Sequence, residues 1–192
     1  MNRKIQMACE KLVVQEEIDT SDLIGFLNAL MLSDNEIENL MMEDVAHPYG
    51  RQVLFNHPKL EVMLATWTRG MPCAPHDHGG AKSAIRVLKG ASHHRVFKLE
   101  EGMLKEAYSE LCEADEILLC GPKQIHAMGD GNAEDVLVTL HAYSGSIPNM
   151  VVYSDTDTYI VNGACGAWIP EQKNDILCHK SGHFWRRDLN MG

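Results

Sequence analysis

The chain has 192 residues, 45% of them hydrophobic, and a formal net charge of -10. This size and apolar content suit a single domain, residues 1–192, with a core of its own, and exclude a disordered or repeat protein. The negative charge argues against affinity for phosphate backbones or anionic membranes. Small molecules are the expected partners, with no nucleic acid and no membrane, and the chain is expected to be a monomer or weak homo-oligomer.

Charges run through the opening "MNRKIQMACEKLVVQEEID", and no apolar run reaches membrane-spanning length. The expectation is a cytoplasmic protein. Cys9, Cys73, Cys112, Cys120, Cys165 and Cys178 are even in number, but without a secretion signal they read as reduced, mostly buried thiols rather than a disulfide framework.

In chain order, residues 1–45 read as a helical segment. A first helix is predicted over 3–16. Leu23, Phe26, Leu27, Leu30 and Met31 follow at the i, i+3, i+4, i+7, i+8 spacing of one apolar stripe. Ser33 with Glu36 reads as a capping box opening a short helix through Ile37, Leu40 and Met41. From about residue 50 to 162, short runs rich in Val, Leu, Ile and Thr alternate with turn residues. Strands are predicted near 52–56, 60–68, 83–89, 93–99, 104–111, 116–120, 136–143, 149–153 and 158–162. Such spacing favours a mainly β sandwich or barrel over βαβ units. The tail, 163–192, has no clear periodicity; it is expected to wrap the domain, cover a pocket mouth or be partly mobile.

The stretch "GMPCAPHDHGGAKSAIRVLKG" carries the chemistry. If residues 74–78 are extended, His76 and His78 share a face, because side chains alternate along a strand, and both imidazoles can meet one metal ion. His126, after the Gly121-Pro122 turn, is the candidate third ligand. Thr139, His141 and Tyr143 alternate along a predicted strand, so their hydroxyl, imidazole and phenol can form a relay on one face.

The spacing from Gly70 through His76-Asp77-His78 and Ser83 to Gly90 resembles the first cupin motif, and the segment around Pro122, His126 and Asp130 resembles the second. The usual motif has glutamate at the position of Ser83; a neutral three-histidine shell leaves the negative charge to a substrate thiolate. With Arg51, Trp67 and the Thr139, His141, Tyr143 run, the chain over roughly 45–155 resembles the cysteine dioxygenase family of thiol dioxygenases. That resemblance implies a cupin-type double-stranded β-helix barrel and an Fe(2+) site held by His76, His78 and His126. It further implies addition of both atoms of O2 to a thiol sulfur to give a sulfinic acid. Arg51 would hold the substrate carboxylate through its guanidinium fork. Tyr143, oriented by His141 and Thr139, would face substrate, and Trp67 and Ser83 would support the site from behind. The family's vertebrate members have a cysteine at the position of Ser83, cross-linked to the matching tyrosine; Ser83 cannot form that thioether, so Tyr143 is expected to be unmodified. The loop "YSGSIPNM" departs from their Ser-Pro-Pro and bears on pocket shape.

Read singly, each residue has a plainer explanation. His76 and His78 could sit in a surface loop, His126 and His141 could be structural, Tyr143 a core aromatic, and Arg51 the partner of an N-terminal carboxylate. Adjacent His93 and His94 face opposite ways on a strand and read as surface or structural; His47 and His57 show no partner pattern. Cys165, Cys178, His179 and His183 invite a zinc reading that their gaps match poorly. Cysteine is the first substrate expectation, with 3-mercaptopropionate and mercaptosuccinate as alternatives. A zinc-dependent hydrolase or isomerase and a non-catalytic cupin sensor are the readings from other classes.

Overall fold

The computed structural model describes residues 3–131 and 135–185; the ends of the predicted N-terminal segment and tail, 1–2 and 186–192, lie outside the described residues. Three short helices come first: α1 (Arg3–Val13), α2 (Thr20–Ala29) and α3 (Asp34–Glu38). Each of the last two opens on a capping box, Ser33 with Glu36 as predicted and Asp19 with Asp22 in addition. Leu23, Phe26, Leu27 and Leu30 are buried as the stripe requires, but Met31 is exposed, because α2 has already ended at Ala29.

Eleven strands follow: β1 (Tyr49–His57), β2 (Leu60–Trp67), β3 (Ser83–Lys89), β4 (Ala91–Glu100), β5 (Met103–Glu113), β6 (Ile117–Cys120), β7 (Ile125–Asp130), β8 (Val138–Tyr143), β9 (Asn149–Tyr153), β10 (Asp157–Asn162) and β11 (Ile176–Ser181). The architecture is the expected mainly β one, with two strands, β7 and β11, that the sequence pattern does not predict. One sheet has the order β1-β2-β8-β3-β6; two three-stranded ladders have the orders β5-β4-β7 and β11-β10-β9. The extended segment at His76 stitches these ladders together. His76 and His126 exchange backbone hydrogen bonds of 2.9 and 3.0 Å, and on the other side the Asp77 N–H donates to the Val151 carbonyl at 3.0 Å. The expected barrel is not closed: among the described residues no strand ladder joins the five-stranded sheet to the ladders opposite it.

Period-two alternation sorts the large sheet into two faces. On β2, Met63, Ala65 and Trp67 pack into the core between the sheets, whereas Leu60, Val62 and Leu64 pack against the helices. On β8, Val138, Leu140 and Ala142 join the helix side, which turns Thr139, His141 and Tyr143 inward. Buried Arg86 on β3 ties the two layers: its Nη1 donates to the Leu27 carbonyl of α2 at 2.9 Å and its Nη2 to Asp115 at 2.6 Å. No described helix is long and apolar enough to cross a membrane.

Candidate metal centre

His76 and His78 project inward from the stitching segment, and His126 from β7 meets them, with ring centroids 4.5, 4.7 and 5.3 Å apart. Asp77, between the two, turns the other way and accepts from the N–H groups of Gly79 and Val151 at 2.9 and 3.1 Å. This fixes the alternation that aims both histidines at one point. Gly79 and Gly80, with φ of 66° and 102°, then turn the chain sharply away into β3.

Each ring has a partner at Nδ1. The His76 N–H donates to the Ala74 carbonyl at 2.9 Å, His78 meets the Ser83 hydroxyl at 3.0 Å, and His126 meets Nε2 of His94 at 3.1 Å. Ser83 thus stands behind the His78 ring rather than beside it at the centre of the cluster. Burial keeps the three rings neutral: His76 is pushed down to about 4, and His78 and His126 well below the usual range, where the neighbouring histidines push the same way.

Three neutral imidazoles, with one nitrogen from each within 4.8 Å of the others, form a donor set that fits a divalent transition metal. The fit is visible at its centre, where buried Nε2 of His78 and Nε2 of His126 stand 3.0 Å apart.

Around this cluster the structure brings together the remaining predicted residues. The Trp67 indole N–H donates to the Thr139 hydroxyl at 2.8 Å, Thr139 meets His141 Nε2 at 2.7 Å, and His141 Nδ1 meets the Tyr143 hydroxyl at 2.9 Å. Burial pushes His141 down to about 3 and Tyr143 well above the phenol range, so both are neutral. Arg51 comes within the same cavity, but its partner is Glu61 on β2 rather than a carboxylate of the N-terminal segment. Its Nε lies 3.2 Å from the Met63 sulfur.

The cavity is about 20 Å³, lined by Arg51, Glu61, His76, His78, Tyr143 and Met150 among others. Gly163 and Gly166 close it from the tail side. That cover is held at Ala167, whose N–H donates to the Tyr49 hydroxyl at 2.9 Å and whose carbonyl accepts from Ala74 at 3.0 Å. A roomier cavity, about 760 Å³ beside Phe97, Lys123 and His183, contains none of this chemistry.

Residues 3–156 match the family described as Cysteine dioxygenase type I. The chain belongs to that family. Cysteine dioxygenases are metal-dependent thiol dioxygenases of the cupin superfamily, acting on a small molecule and O2. Among solved structures, the chain is similar to an uncharacterized conserved protein with a double-stranded β-helix domain from Klebsiella pneumoniae subsp. pneumoniae. Identity is 14% over 65% of this chain and 96% of that one, with a TM-score of 0.49. It is also similar to a recombinant oxalate oxidase in complex with glycolate, at 18% identity over 55% of each chain and a TM-score of 0.47. Likeness at that level carries no inference about activity.

Three features of this cysteine dioxygenase family member escape sequence reasoning. His94, expected at the surface or in a structural role, is buried against His126, a partner its sequence neighbours do not reveal. Glu61 is a buried carboxylate within a hydrophobic strand, and its Arg51 partner follows only from the β1–β2 pairing. His47, without a pattern in sequence, bonds Asp44 at 2.7 Å and stacks on Trp168 at 4.6 Å. Cys165, Cys178, His179 and His183 form no metal-ligand cluster among the described residues. Cys9, Cys73, Cys112 and Cys120 are buried free thiols, as expected, while Cys165 and Cys178 are half-buried.

Proposed function

We propose that this protein is an Fe(2+)-dependent thiol dioxygenase that converts a small thiol carboxylate, cysteine before others, to its sulfinic acid. The thiol sulfur loses four electrons to one O2, both atoms of which end on sulfur, so no further reductant is needed. One observation carries the reading: two members of the three-histidine cluster, His76 and His78, line the cavity that Arg51 and Tyr143 also line.

His76, His78 and His126 would hold the metal, which when bound supplies a redox-active centre where a thiolate and O2 meet. Arg51 orients a substrate carboxylate through charge-assisted hydrogen bonds. The chain from Trp67 through Thr139 and His141 fixes the direction of the Tyr143 hydroxyl, which positions substrate rather than transferring its proton. Glu61 favours a thiol that carries an amino group beside its carboxylate, because a cationic group can pair with Glu61 while the carboxylate pairs with Arg51. A second carboxylate, as in mercaptosuccinate, faces like charge there.

The test is oxygen uptake by the Fe(2+)-loaded protein with cysteine, 3-mercaptopropionate, mercaptosuccinate and cysteamine, with each sulfinic acid assayed. Uptake coupled to cysteine sulfinate is expected. Tight zinc without thiol-dependent uptake would replace this reading with a hydrolytic one, and ligand binding without turnover with a sensor.

A further inference from the structure

Behind His126, on the side away from the cavity, lies a polar chain that the proposed reaction does not use. His94 on β4 stands directly opposite Glu110 on β5 in the strand register, and its Nδ1 is 3.0 Å from the Glu110 carboxylate. On the other side of β4, His126 pairs with Val96, two residues along, so His94 reaches it diagonally and its Nε2 stands 3.1 Å from His126 Nδ1. His94 is 1% exposed, whereas the Glu110 side chain is 46% exposed and solvated.

The order of donors along this chain is forced. An ionised carboxylate can only accept, so His94 carries its proton on Nδ1 and donates it to Glu110. Buried His94 has a partner at each ring nitrogen, so a ring that carries one proton donates at Nδ1 and accepts at Nε2. Its Nε2 is therefore a bare acceptor, and His126 must carry its own proton on Nδ1. That leaves Nε2 of His126 bare, on the side of His76 and His78. The Cys120 sulfur also approaches His126 Nδ1, at 3.4 Å, and can accept weakly from the same N–H.

We propose that His94 is a positioning residue for the metal centre, and that the Glu110–His94 pair locks His126 in the tautomer that can bind a cation and lends its ring anionic character. The carboxylate missing at Ser83 thus acts from two hydrogen bonds away. This inference rests on the three-histidine reading above. Partners of this kind orient a ligating histidine and raise its basicity.

The first test needs no metal. Two-bond 1H–15N spectra of the metal-free wild-type protein should show His126 protonated at Nδ1 and bare at Nε2; the opposite tautomer would overturn the proposal. The second is metal affinity, measured anaerobically for Fe(2+) and Co(2+) by chelator competition. His94→Leu, which removes the acceptor, should weaken binding about 10- to 100-fold. His94→Gln, which puts an amide oxygen near the place of Nε2, should recover most of that loss, and Glu110→Gln should weaken binding by a few fold. The Co(2+) absorption bands should shift in His94→Leu and return in His94→Gln, which loss of packing alone does not predict.

Unchanged affinity in His94→Leu overturns the positioning role while leaving the three-histidine site intact, whereas a wild-type protein that binds no metal removes the site itself. Two metal equivalents per chain would also overturn the proposal, because an ion held by His94, Cys120 and His126 requires Nδ1 of His126 to be bare. Should His94→Leu fail to fold, Glu110→Ala and the wild-type tautomer carry the test, since Glu110 is solvated.

Discussion

Arg51 on β1 reaches across to Glu61 on β2, and the pair lines the same cavity as His76, His78 and Tyr143. Removing one partner therefore has two effects that separate experimentally. Arg51→Ala should raise KM for a carboxylate-bearing thiol about 10- to 100-fold, the worth of a charge-assisted hydrogen bond. It should also destabilise the fold by about 3 kcal/mol, because Glu61 is left buried without a counter-charge. Adding Glu61→Gln should restore the stability but not the KM. Unchanged saturation in Arg51→Ala would take Arg51 out of substrate binding.

Ser83 lies within the core and meets Nδ1 of His78 at 3.0 Å. Ser83→Ala leaves that nitrogen without its partner, a loss of about 1–3 kcal/mol in thermal or denaturant unfolding. Metal affinity should fall about 10-fold or more for the same reason, since His78 loses its orientation. Chelator competition measures this, and a variant that binds as tightly as the native protein would make Ser83 a packing residue only.

The Tyr143 hydroxyl is held by His141 at 2.9 Å. Tyr143→Phe keeps the ring and removes the one group the relay aims. With cysteine, kcat/KM is expected to fall by about 10²-fold, the scale of a misplaced reactant, while the metal Kd stays unchanged. Thr139→Val should give a milder form of the same defect by cutting the link to the Trp67 indole.

Acid should unfold the metal-free protein early. His141, pushed down to about 3, is protonated in the unfolded chain at the ordinary histidine value but not in the folded one. The unfolded state therefore binds the extra proton, and stability falls as pH drops from about 6.5 to about 3, by on the order of 5 kcal/mol for this group. His76 acts in the same direction down to about 4. Denaturant titrations of metal-free native and His141→Gln protein should show a shallower pH dependence in the variant; equal slopes would mean that His141 is protonated in the fold.

How much of this was legible depended on whether a relationship is local. The pair His76 and His78 and the run Thr139, His141, Tyr143 are visible because period-two spacing alone puts side chains on one face. The Ser33 and Glu36 cap is visible for the same reason, being complete within four residues. The partners of His94 are not legible because only His93 is adjacent in sequence; they are set by pairing with β5 on one side and β7 on the other. β7 itself, "IHAMGD", carries too few apolar residues to announce a strand, since it is buried by its partners rather than by its own hydrophobicity. In β11, "ILCHKS", the half-buried and exposed positions alternate only weakly in character, and its pairing with β10 is what makes it a strand.

The cover at Gly163–Ala167 has a kinetic meaning. A space of about 20 Å³ holds roughly one water molecule, far less than any thiol carboxylate. A thiol carboxylate therefore needs the site to widen, and the two hydrogen bonds at Ala167 are the ties that a movement of this cover would part. Segment openings of this kind run on the microsecond to millisecond scale. If release of that cover limits turnover, the clock is the grip of Tyr49 and Ala74 on one residue of the tail, outside the ring of histidines altogether.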